Sequence, residues 1–247
     1  MHIFKSMTKK ISIFIPAYNA AAHIKNVINR FPAQLWENIH QVYIINDGSI
    51  DSSRQVIEEL CCDYPNVTPI HFSENRGYGT VVKTGLGLCI NDGCDFSVCL
   101  HADEQYPPEY IVQMIDLMHE KDVDLMQGSR ISSGTALSGG MPLYKFIAGI
   151  CLVKLENCVF RMKLTDYHSG FLIYNRKTLD TLSFDKLSKS FDFDLEVIAS
   201  ARASKLKVAE YPIPTRYAQE TSYLNPVTYG LRVLKVLFKY ISGAYRC

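Results

Sequence analysis

Along the first half of the chain, short apolar runs alternate with stretches in which apolar residues recur at helical spacing. Ile11-Ser12-Ile13-Phe14-Ile15 is a β-branched run that stops at Pro16, and residues 42–45, 67–72 and 96–100 give three more runs of strand length. Between the first two lie Ala21, Ile24, Val27, Ile28 and Phe31, three and four apart, with Asn19 as the expected N-cap. Val56, Ile57, Leu60 and Cys61 repeat the pattern behind Asp51, again the expected cap, and a third helix is predicted over residues 78–90. Strands alternating with helices of this length predict βαβ units, hence an α/β fold with a mostly parallel sheet flanked by helices. Crossovers keep successive parallel strands pointing one way, so all four strands end at one rim.

Polarity changes abruptly at that rim. The first strand runs into Pro16-Ala17-Tyr18-Asn19, the second into Asn46-Asp47-Gly48-Ser49, the third into Ser73-Glu74-Asn75-Arg76-Gly77. The fourth runs into His101, Asp103, Glu104 and Gln105, closed by Tyr106-Pro107-Pro108. Metal-capable and hydrogen-bonding groups at the carboxyl ends of parallel strands mark a ligand site. A further strand at residues 123–126 opens into Gly128-Ser129-Arg130. Gly77-Tyr78-Gly79 begins like a dinucleotide fingerprint, but Val82 stands where the third glycine belongs and the motif follows the third strand, so that reading fails. No P-loop sequence is present, and the loop after the first strand has none of the Gly-rich, basic character of a nucleotidyltransferase.

With 247 residues and 47% hydrophobic content the chain can bury one large core. Its formal net charge of +1 provides no global field to recruit nucleic acid, so no nucleic-acid partner is expected and charge arguments are local. The eight cysteines contain no C-x-x-C pair, and buried reduced thiols in a reducing compartment are expected. Residues 1–10 are basic without an apolar h-region, so no secretory leader is expected. Apolar runs are broken well before 18 residues, so no transmembrane helix is expected either.

Seven motifs in order carry a resemblance. Ile13-Phe14-Ile15-Pro16-Ala17-Tyr18-Asn19, Ile44-Ile45-Asn46-Asp47-Gly48-Ser49-Ile50-Asp51, Glu74-Asn75-Arg76-Gly77, His101-Ala102-Asp103 and Gly128-Ser129-Arg130 resemble the signature of family 2 glycosyltransferases. Asp166-Tyr167-His168-Ser169-Gly170-Phe171 and Phe191-Asp192-Phe193-Asp194-Leu195-Glu196 look like its continuation in the dolichyl-phosphate mannosyltransferase branch. The resemblance implies a Rossmann-like GT-A fold that transfers a sugar with inversion from a nucleotide sugar, a UDP- or GDP-sugar, with Mg²⁺ or Mn²⁺. It places Pro16, Ala17, Tyr18, Asn46, Asp47, Ala102 and Asp103 at the donor, with Arg130 and Lys83 as candidate diphosphate cations; Lys83 equally fits a solvated helix position.

A leaving nucleoside diphosphate gathers negative charge that a carboxylate-bound cation stabilises, and Asp103 is the expected ligand. The family's Asp-x-Asp has His101 at its first position here; it ligates the metal or hydrogen-bonds the ribose or a water, and Gln105 offers a third donor. Ala20 and Asn46 stand where the family usually has base-reading acids. These three lost carboxylates motivate a rival reading, a non-catalytic sugar-nucleotide or membrane-binding relative.

Asp192 and Asp194 are the candidate catalytic carboxylates for a hydroxyl acceptor; as first-turn residues they also answer a helix dipole. A lipid-phosphate acceptor is already anionic and needs no base. The family branch places Arg and Lys near Ser222, where only Arg216 is close here, so a polyprenyl phosphate and a lipid-linked cell-envelope glycan both stand as acceptors. Residues 134–140 form a Gly- and Ser-rich loop beside the site, and 141–164 an apolar helix with spaced cations that either packs in the core or faces a membrane. After a helix-start signal at Tyr223-Leu224-Asn225-Pro226, residues 227–244 set Arg232, Lys235 and Lys239 three and four apart on an otherwise apolar helix. The expected organisation is therefore one GT-A domain, residues 1–225, and a C-terminal amphipathic helix, residues 226–247. That helix either docks on the domain or lies in a membrane interface, which would make the protein peripheral at the cytoplasmic face.

Overall fold

The computed structural model describes residues 9–214 and 226–245. Its strands are β1 (Ile11–Ala17), β2 (Ile39–Asn46), β3 (Val67–His71), β4 (Phe96–Cys99), β5 (Leu125–Ser129), β6 (Leu172–Asn175) and β7 (Val208–Pro212). They form one sheet in the order β3-β2-β1-β4-β6-β5-β7. Every pairing is parallel except those of β6, which runs antiparallel between β4 and β5. The helices are α1 (Ile24–Asn29), α2 (Ala33–Trp36), α3 (Ser53–Asp63), α4 (Tyr78–Asn91), α5 (Ile111–Glu120), α6 (Leu143–Phe160), α7 (Arg176–Thr181), α8 (Phe193–Ala203) and α9 (Pro226–Ile241).

Side-chain alternation along the strands builds a core on each face of the sheet. Ile11, Ile13 and Ile15 of β1 pack with Val98 of β4 and the inner faces of α1, α3 and α5. Phe14, on the opposite face, packs with Val81, Val82 and Leu86 of α4, with α8, and with Val233, Val236 and Leu237 of α9. Strands buried on both faces explain why β1 and β4 read as nearly continuous apolar runs. The rim expected from the sequence exists, since β1, β2, β3 and β4 are parallel and their carboxyl ends lie together.

Some local expectations are corrected. Asn19 does not cap α1: it has a φ of 51° and its side chain accepts from Ile50 N–H, bridging two rim loops, while His23 precedes α1 without a side-chain cap. Asp51 lies one residue outside the cap position of α3, yet its carboxylate accepts from Ser53 N–H at 2.9 Å. Neither β6 nor β7 was expected. Cys89, Cys94 and Cys99 are buried, whereas Cys62, Cys151 and Cys158 are exposed; all are free thiols. Arg216 and Ser222 to Asn225 lie outside the described residues, and α9 begins at Pro226. Among the described residues no helix is long and apolar enough to cross a membrane.

Candidate active site

The rim loops are stitched to one another by their own polar residues. Ser49 Oγ accepts from Asn19 N–H and Ser53 Oγ from Ala20 N–H, joining the loop after β1 to the loop after β2. Asn46 accepts from Ser49 N–H at 3.1 Å, and its amide donates to His71 Nδ1 at 3.2 Å. Asp47 is buried and accepts from Arg76 N–H at 2.7 Å and Gly77 N–H at 3.0 Å. Gly48 makes that grip possible: at φ +65° its missing Cβ would lie 2.3 Å from the Glu74 carbonyl carbon. Asn46 and Asp47 thus tie the loops after β2 and β3 to each other and to β3. Ala17 is buried, Pro16 half-buried, and Tyr18 is the aromatic left at the surface, 38% exposed.

β4 delivers the next segment. Ala102 is buried, and Asp103 Oδ1 accepts from Gln105 N–H at 3.0 Å. Glu104, at φ 62°, turns away to Asn26 and His23, so it belongs to the outer wall. Gln105 lines a cleft of about 290 Å³ with Arg30 and Tyr110. Burial pushes the Asp103 carboxyl above its ordinary range, with Arg130 and His23 only partly opposing it. His101 is enclosed edge-on by Tyr78 and Tyr106, and its Nε2 lies 3.1 Å from Tyr78 Oη. Only glycine fits at position 170, where a Cβ would lie 2.4 Å from His101 Nε2. Burial, reinforced by the charge of Arg130, lowers the imidazole pKa to about 4, so His101 is neutral at pH 7.

Two more elements close the site. Just after β5, Arg130 Nε donates to Asp166 at 3.0 Å and Nη2 to the His168 carbonyl at 2.9 Å, placing a half-buried cation whose charge reaches His101 and Asp103. At the start of α8 the two candidate carboxylates diverge. Asp194 accepts from Tyr78 Oη at 2.8 Å; its other oxygen is buried without a hydrogen bond, and burial raises its pKa to about 7. Asp192 faces the other way, toward Ser188 Oγ at 2.7 Å and Arg232 at 3.1 Å. Lys83 is not at the rim chemistry: its ammonium donates to the carbonyls of Asp185 and Leu187, fastening the segment that leads to α8.

The side chains brought together are therefore His101, Asp103, Arg130 and Asp194, with Tyr78, Tyr106 and Asp166 as partners. Tyr78 has one proton. When it donates to ionised Asp194 it must accept from His101 Nε2–H, which leaves the lone pair on Nδ1. Sequence reasoning gave Tyr78 no role, and no local signal could have done so, since its partners lie 23 and 116 positions away. Asp166 and Gly170 were visible only as members of a motif. Among the described residues no three His, Cys, Asp or Glu side chains converge to hold a metal by themselves. Asp103 and the neutral His101 do not make a closed protein cage; they fit a cation whose remaining ligands are oxygens of a bound diphosphate.

Comparison with known proteins places the chain in a family. Residues 12–183 match the model of glycosyl transferase family 2. The chain is 29% identical over 223 residues to the UDP-N-acetylglucosamine–dolichyl-phosphate N-acetylglucosaminyltransferase of Methanococcus voltae, covering 85% of this chain and 87% of that protein. It is 22% identical over 245 residues to the dolichol-phosphate mannosyltransferase of Pyrococcus furiosus, covering 96% of this chain and 63% of that longer enzyme. Glucosyl-3-phosphoglycerate synthase from Mycobacterium tuberculosis, solved with Mn²⁺, UDP and glucosyl-3-phosphoglycerate, superposes with a TM-score of 0.66 at 14% identity, over 97% of this chain and 81% of that one; the shared fold is GT-A. A rim built on parallel strands, a matching family model and relatives that transfer sugars lead to one conclusion: the chain belongs to glycosyl transferase family 2 and is a glycosyltransferase.

Proposed function

We propose that the protein transfers a sugar, with inversion, from a UDP-sugar to the phosphate of a polyprenyl lipid, working as a peripheral protein at the cytoplasmic face of a membrane. The observation that carries this reading is the orientation of Asp194. Its carboxylate is buried behind Tyr78 and faces His101 through that hydroxyl, so it is placed to hold the loop rather than to take a proton from an acceptor. Asp192, engaged by Ser188 and Arg232, is no freer. A lipid phosphate suits such a site because its oxygen is anionic near neutral pH and attacks without a base. The named activities of the Methanococcus and Pyrococcus relatives, both on dolichyl phosphate, support the same acceptor class, and the UDP of the Methanococcus donor supports the nucleotide.

Each residue then has a task. Tyr18, Ala17 and Pro16 border the nucleoside pocket whose floor Asn46 and Asp47 maintain. Arg130, oriented by Asp166, supplies fixed positive charge for the diphosphate. Asp103 would hold a divalent cation, Mg²⁺ or Mn²⁺, with His101 and Gln105 as neutral partners; when bound, it offsets the charge that builds on the leaving diphosphate. Tyr78 and Gly170 keep His101 in place. Exposed Leu143, Tyr144, Ile147 and Leu155 on α6, which packs against α9, and Leu231, Leu234, Phe238 and Ile241 on α9 form the membrane-facing surface, with α9 as its interfacial helix.

The test is a transfer assay with UDP-sugars and a short-chain polyprenyl phosphate, with product anomeric configuration read by NMR. Inverted, cation-dependent lipid product is expected with one donor. Retention of configuration, or transfer only to soluble hydroxyl acceptors, overturns the reading.

A further inference from the structure

An open cleft of about 490 Å³ lies between α9 and the segment leading into α8, with none of His101, Asp103, Arg130 and Asp194 in its lining. Lys186, Arg232, Lys235 and Lys239 line it, against one carboxylate, Asp192. In a chain of net charge +1 this is a local concentration of positive charge. Two of the cations are matched: Arg232 pairs with Asp192 at 3.1 Å and Lys239 with buried Glu196 at 2.6 Å. Lys186 and Lys235 have no ion pair among the described residues. Ser188 and Thr228 add hydroxyls to the same lining.

What stands beside the cleft identifies its occupant. Leu231 lines the cleft, and Leu234, Phe238 and Ile241 continue from it at spacings of three, four and three, all exposed. The opposite side of α9, Val233, Val236 and Leu237, is buried in the core. The helix is therefore docked by one face while an apolar stripe and a cation row share its outer surface. A soluble anion would satisfy the cations but leave the stripe in water; a lipid satisfies both at once.

We propose that this cleft binds the phosphate of an anionic membrane phospholipid headgroup, with Lys186 and Lys235 as its ligands and the α9 stripe in the acyl boundary beside it. The proposal rests on the peripheral-membrane reading above and adds a discrete lipid site lined by none of His101, Asp103, Arg130 and Asp194. Because Arg232 and Asp192 share the cleft wall, the bound headgroup fixes the membrane next to the start of α8 and orients the reaction rim with respect to the bilayer.

The test is co-sedimentation of the full chain with phosphatidylcholine vesicles, with and without phosphatidylglycerol. Each cation near an anionic surface is worth roughly a five-fold change in partitioning, so Lys186→Ala/Lys235→Ala is expected to lower binding to the anionic vesicles about 25-fold. Lys186→Arg/Lys235→Arg is expected to retain it, and Lys25→Ala/Lys121→Ala, on the other face of the sheet, to change it little. Equal losses in the two Ala pairs would mean diffuse attraction and overturn the site while leaving the peripheral reading intact; so would unchanged binding in Lys186→Ala/Lys235→Ala. Failure of the unaltered chain to bind any vesicle would overturn the peripheral reading itself. Thermal stabilisation by inorganic phosphate that requires Lys186 and Lys235, without vesicle binding, would reassign the cleft to a soluble phosphate.

Discussion

Tyr78 joins the two halves of the site with a single hydroxyl, between a carboxylate on α8 and an imidazole on the loop after β4. The carboxylate is the more revealing partner. Burial holds the folded-state pKa of Asp194 at about 7 against an ordinary 3.8, so its charged form is disfavoured in the native state. The stability associated with its protonated form is complete below about pH 4 and is lost as pH rises through about 7. Asp194→Asn removes that dependence, and its urea midpoint is expected to gain on the unaltered chain between about pH 5 and about pH 8; parallel curves would contradict the assignment. At Asp103 the expectation concerns binding: Asp103→Ala should weaken cation-dependent UDP-sugar binding by about 100-fold or more, read by calorimetry, while leaving the melting temperature nearly unchanged. Residue identity at the rim was legible because polar clusters follow each apolar run. Residue partnership was not: Lys83 reaches carbonyls about a hundred positions on, and whether Asp192 or Asp194 faces the rim depends on Tyr78 and Arg232, which lie far from both in sequence.

Among the elements, β1 to β5 and the helices α1, α3, α4, α6 and α9 were readable, since β1 and β4, buried on both faces, are continuous apolar runs and the crossover helices α1, α3 and α4 have clean helical spacing. The four-residue β6 is no shorter than β4 but runs antiparallel to both neighbours and so belongs to no βαβ repeat, and β7 shows an edge-strand pattern of half-buried residues. What holds this second half of the sheet together is buried Asp124, just before β5. It accepts from Lys207 N–H at 2.8 Å ahead of β7, from Asn175 Nδ2 at 3.1 Å at the end of β6, and from Lys177. Burial alone would raise its pKa, but these hydrogen bonds hold it below the usual carboxylate range. Its stabilisation is therefore present above the unfolded value and fades as pH falls through the lower folded one. Asp124→Ala is expected to cost about 2–4 kcal/mol in chemical denaturation near neutral pH, and less in acid. On α9 the expectation is opposite in kind. Phe238, 71% exposed, contributes little to folding, so Phe238→Ser should leave the melting temperature unchanged yet reduce vesicle binding several-fold.

At the scale of the whole molecule, one sheet divides the labour. The face bearing α1, α3 and α5 packs one core beneath the rim, while the face bearing α4, α6, α8 and α9 carries the exposed apolar stripes and the basic cleft. The candidate site, His101, Asp103, Arg130 and Asp194, lies at the rim, with His101 and Asp103 after β4 and Arg130 after β5. That arrangement suits an enzyme whose donor comes from water and whose acceptor comes from a bilayer. The direct measurement is sugar transfer by the purified chain from UDP-N-acetylglucosamine and other UDP-sugars to polyprenyl phosphate in mixed vesicles, with Mn²⁺ or with a chelator, beside Asp103→Ala. Lipid-linked sugar that accumulates with the cation, disappears with the chelator and is nearly absent in Asp103→Ala is the predicted result. Donor binding without any lipid product under either condition would contradict the account.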